Sequence, residues 1–103
     1  MKTYLVQAHD SIGAKFIYET NVLSEDYNEG DLVYEIASGG YSVGALNRIF
    51  FLDDEAMTVV DVTVEIAEAV REWVVARGEA PLDVVRQWIN KVGIDPIEIR
   101  DGH

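Results

Sequence analysis

The sequence predicts an α+β fold in one domain spanning residues 1–103. An antiparallel sheet of about four strands lies within residues 2–52, and two helices, at about 59–77 and 81–92, cover it. Three observations predict it. Apolar residues alternate with period two through the first half and recur at helical spacing in the second. The chain of 103 residues, 49% of them hydrophobic, suffices for one core and is too short for two. Finally, Gly and Pro punctuate the chain where elements should end.

The first strand is Thr3 to Ala8, with Tyr4, Val6 and Ala8 on one face. His9 to Gly13 forms a turn, and Ala14 to Thr20 alternates again. Ser24 to Asp31 is polar and turn-rich, and reads as a loop with room for one helical turn. Leu32, Tyr34 and Ile36 give Leu32 to Ala37 a strand pattern, closed by Ser38-Gly39-Gly40. Tyr41 to Leu52 is one strand or two short ones, with Gly44 as a bulge position. Such a sheet buries one face and exposes the other.

Thr58 and Asp61 resemble a capping box for the first helix. On a helical wheel Val59, Thr63, Ile66, Val70, Trp73 and Val74 share a face, giving a helix over Val59–Arg77 that Gly78 ends. A strand over Thr58–Val62 competes for its first turn. Pro81 suits the first position of the second helix, and Asp83 suits its first turn. Leu82, Val85, Ile89 and Val92 form its apolar stripe, and Gly93 fits its end. Ile97 and Ile99 add a short edge strand.

Charge excludes several functions. With 8 basic and 19 acidic side chains the net charge is −11, which repels free nucleic acid and anionic membrane. Residues 1–30, 31–57 and 58–103 each carry three or four net negative charges, so the whole folded surface is negative. Cysteine is absent, which removes disulfides, thiolate catalysis and cysteine–zinc sites. The first ten residues lack the apolar core of a signal peptide, and no apolar run is long enough to span a membrane; the expected location is cytoplasmic.

Candidate chemistry is sparse. Gly40-Tyr41-Ser42-Val43-Gly44 matches the G-x-S-x-G nucleophile elbow, but strand-like sequence follows it and the downstream histidine is His103. A small hydrolase using Ser42 is therefore a minor alternative. His9 beside Asp10 lacks a second internal histidine, and reads as an ordinary turn residue. Aligned as an EF-hand with Gly30 at position six, the acidic loop puts Tyr27 and Ile36 where oxygen ligands belong, so no metal site is assigned. No phosphate-binding or dinucleotide motif occurs, so no cofactor is expected and the chain is read as non-enzymatic. Tyr and Trp side chains without accompanying cations point to packing or a protein interface, not to base stacking.

The informative pattern is acidic. Asp61, Glu65, Glu68 and Glu72 are spaced four, three and four. They fall within about 60° of one another on the wheel, opposite the apolar stripe. Continued as a helix, they form a line of negative charge about 16 Å long, comparable with a run of phosphates. Glu25, Asp26 and Glu29 in the loop, with Asp53 and Asp54 after Phe51-Leu52, extend the negative surface. These nine residues are the expected partner-binding set. They imply a protein-binding domain that occludes a basic surface on a nuclease or other nucleic-acid-handling protein. In size, charge and lack of cysteine the chain resembles, as a class, phage inhibitors of host defence nucleases such as anti-CRISPR proteins, and immunity proteins that block toxic nucleases. The alternative is a structural or accessory subunit that self-associates, as a homodimer, through a hydrophobic outer sheet face or Trp88.

Overall fold

The computed structural model describes residues 1–9, 16–40, 46–78 and 80–93. Among them the chain forms β1 (Lys2–His9), β2 (Phe16–Val22), α1 (Glu29–Ala37), β3 (Leu46–Asp53), β4 (Thr58–Asp61), α2 (Thr63–Arg77) and α3 (Asp83–Val92). The strands form one antiparallel sheet in the order β2-β1-β3-β4. This is the α+β fold expected, with one helix more than the sequence suggested.

The sheet buries one face. Tyr4, Val6 and Ala8 of β1 point into the core beside Leu46 and Ile49 of β3. A bulge at Gln7/Ala8, opposite Arg48 and Leu46, brings Leu46 and Ile49, three residues apart, to the same side. The helices cover this face with Leu32, Val33 and Ile36 of α1, Ile66, Val70 and Val74 of α2, and Val85, Trp88 and Ile89 of α3. α2 packs against α1, α3 and β3. Each fully buried aliphatic side chain contributes about 1.5–3 kcal/mol, so packing of its buried face is the main hold on α2; its β-branched residues lower its intrinsic propensity.

Two expectations are corrected. Leu32–Ala37 is not a strand but the body of α1. Asn28 and Asp31 form a reciprocal capping box: the Asp31 N–H donates to the Asn28 side chain at 3.3 Å, and the Asn28 N–H donates to the Asp31 carboxylate at 2.8 Å. Leu32, Val33, Ile36 and Ala37 then fall on one buried helical face, while Tyr34, which completed the apparent alternation, is 56% exposed. The long helix begins at Thr63, not Val59, because Thr58–Asp61 turns back on β3 as the fourth strand. Val59 is accordingly 66% exposed and takes no part in the buried stripe.

The glycine stops hold, and other boundaries shift by a few residues. Gly78 and Gly93 end α2 and α3 with φ of 68° and 91°, the left-handed region open to glycine. α3 starts at Asp83 with Leu82 as its N-cap, two residues later than Pro81 suggested. His9 ends β1. Residues 10–15, the Tyr41–Ala45 stretch with Ser42 and Gly44, and the Ile97/Ile99 strand lie outside the described residues.

Candidate functional site

α2 presents its acidic face to solvent because its opposite face fills the core. Glu65, Glu68 and Glu72 are all exposed, and none makes a hydrogen bond or ion pair among the described residues. They form a row about 10 Å long at the helical rise.

Asp61 does not continue that row. It ends β4, where its Oδ2 accepts from Arg48 Nη1 at 2.8 Å and its Oδ1 accepts from the backbone N–H of Thr63 at 3.0 Å and from the Thr63 hydroxyl. These partners, the hydroxyl foremost, hold its carboxyl below the usual aspartate range. Asp61 is thus a structural residue at the strand-to-helix junction, and its charge is matched by Arg48. Asp53 has a similar part at the β3–β4 turn, accepting from the N–H groups of Glu55 and Ala56 at 3.1 and 3.2 Å. Asp54, beside it, pairs with the N-terminal ammonium, which holds its carboxyl low. Glu25 and Asp26 are exposed in the loop before α1, and the Asp26 N–H donates to the Ser24 hydroxyl.

Glu29 is the residue the fold brings to the row. As the first residue of α1 it lines, with Gly30, Val33, Ala69, Glu72 and Trp73, an open groove of about 450 Å³ between α1 and α2. Two carboxylates from different helices therefore flank one apolar floor.

Trp73 separates this groove from a second one of about 250 Å³, lined by Tyr34, Ser38, Arg77, Pro81 and Leu82 among others. The Tyr34 and Trp73 rings meet edge-to-face with centroids 5.8 Å apart, and the Arg77 guanidinium lies 4.6 Å from the Trp73 ring centroid. No sequence pattern signalled this stack, since it needs α1, and α1 reads as a strand. The capping pair Asn28/Asp31 with apolar residues at 32, 33, 36 and 37 is the signal that finds it. Trp88 is only 2% exposed, packed in the core, so it cannot supply a self-association surface.

The polar cavity beside the junction, about 260 Å³, brings Arg48 and Lys91 near Asp61 and Glu65, opposite charges at one place. No group of three or more His, Asp or Glu side chains is arranged to hold a metal ion among the described residues. None of the described helices is long and apolar enough to cross a membrane.

Comparison with known protein families, curated proteins and solved structures finds no match.

Proposed function

We propose that the protein is a non-enzymatic binding domain whose acidic helix face engages a basic surface on another protein, one that handles nucleic acid, and blocks it by occupying its nucleic-acid groove. The observation that carries this reading is the exposed row Glu65, Glu68 and Glu72, none of them in an ion pair among the described residues, with Glu29 across the α1–α2 groove. Adjacent like charges on a helix cost about 0.2–0.5 kcal/mol per pair, and an opposing basic surface removes that cost on binding. The net charge of −11 steers such a partner at long range, while Trp73 and Tyr34 supply contact area. In this respect the protein is similar in kind to phage anti-defence inhibitors and to nuclease immunity proteins.

The test starts with capture of partners from a host lysate, followed by affinity measurements on the retained protein at low and high salt. Replacing Glu65, Glu68 and Glu72 by Lys should weaken binding by about tenfold or more and flatten its salt dependence. Equal affinity and an equal salt slope would reject this use of the face.

A second reading, self-association, is favoured by the outer face of the sheet. The strand registers align Val22, Thr3, Leu52 and Val59 in one row and Thr20, Leu5, Phe50 and Asp61 in the next, a largely apolar patch on the side away from the helices. Sedimentation at micromolar concentration separates the two readings, because a strict monomer excludes the dimer.

A further inference from the structure

We infer that the groove between α1 and α2 seats an arginine side chain presented by the basic partner, with its guanidinium against the Trp73 indole and between the carboxylates of Glu29 and Glu72. This rests on the reading of the acidic face as a protein-binding surface and names the residue that enters it.

The groove has what such a side chain needs. Gly30, Val33 and Ala69 in its lining are small or apolar, so an aliphatic stem can pack against them. The groove is shallow and wide open, so it suits a side chain presented by a protein surface and not an enclosed small molecule. Trp73 supplies the wall, and indole is the aromatic ring that attracts a cation best. Glu29 and Glu72 approach from different helices, and neither is in an ion pair among the described residues. Charge complementarity therefore selects a cation.

Arginine fits better than lysine. A guanidinium is planar and weakly hydrated; it stacks on an aromatic ring while its edge donates to carboxylates. An ammonium is compact and strongly hydrated, and gains less from the indole face. The protein already contains one such contact: Arg77 lies over the Trp73 ring and lines the neighbouring groove, not this one.

The probe is a capped Gly-Arg-Gly peptide, with Gly-Lys-Gly as an equally charged control, titrated into the ¹⁵N-labelled protein. The expected result is saturable shifts of the Trp73 indole N–H and of the Gly30 and Ala69 amides, with the arginine peptide binding about fivefold more tightly or better. Glu29→Gln with Glu72→Gln should weaken the arginine peptide by a similar factor. Trp73→Leu, checked for retained amide dispersion, should erase the preference for arginine. Equal affinity for the two peptides, or shifts spread evenly along the Glu65–Glu68 face, would overturn the inference, as would no saturable shift at the groove. Partner binding that still depends on Glu65 and Glu68 would then leave the broader function standing. A groove that selects arginine while charge reversal on α2 leaves partner binding unchanged would have the opposite meaning.

Discussion

Thr63 is where the sheet becomes a helix. β4 stops at Asp61, yet the Ile49 N–H of β3 still faces the place where a further strand residue would accept. The Thr63 hydroxyl takes that hydrogen bond at 2.9 Å, beside the Val62 N–H that donates to the Ile49 carbonyl at 2.9 Å. A side chain thus completes the ladder after the backbone has turned away. Thr63→Val should leave the buried N–H unpaired and cost about 1–3 kcal/mol in urea unfolding, with Thr63→Ser close to wild type. Asp61 depends on the same hydroxyl. Because the folded state lowers its pKa, it stabilises the fold above the ordinary aspartate value, and that contribution fades as pH falls through the lowered one. The gap in stability between wild type and Asp61→Asn should therefore be widest near neutral pH and shrink steadily below about pH 4. A gap that stays constant to about pH 2 would show that the charge on Asp61 does no stabilising.

At the scale of elements, α1 teaches most. Leu32, Tyr34 and Ile36 alternate as a strand would, while Leu32, Val33, Ile36 and Ala37 recur as a helix would. Over so short a run both periods fit, and the N-terminal cap decides. Asn28 bonds the Asp31 N–H and Asp31 returns the bond, so the first turn is closed before the apolar residues are reached. Asn28→Ala should lower stability by about 1 kcal/mol. It should also loosen the α1–α2 groove, read as faster amide exchange at residues 29–33. The β3–β4 hairpin shows the reverse case. Val59 and Val60 carry no helical burial, but pairing Asp53 with Thr58 through Phe50 with Asp61 gives the strand ladder partners that a helical start would lack.

For the whole molecule, a surface of one dominant sign sets both behaviour and reach. Self-repulsion at −11 opposes compaction and is screened by salt. Thermal stability should therefore rise between about 0.05 and 0.5 M sodium chloride, whereas a fall in Tm would mean that ion pairs such as Arg48–Asp61 outweigh the repulsion. Under the proposed function, the same field would draw in a basic partner from a distance, and the groove between α1 and α2 would seat its contact.

The sequence by itself determined the α+β class, the first two strands and the strand that ends near residue 52, the apolar face of α2, the glycine stops at 78 and 93, and the exposed acidic row Glu65, Glu68 and Glu72. Each is written in local periodicity, in backbone conformational preference or in like charge that cannot be buried. Only the tertiary structure decided that Asp61 leaves the row to pair with Arg48, that Trp88 is core and Trp73 a groove wall, and that Glu29 lines the same groove as Glu72. Those outcomes depend on contacts between residues more than ten positions apart in the chain, and no local pattern encodes which distant face arrives.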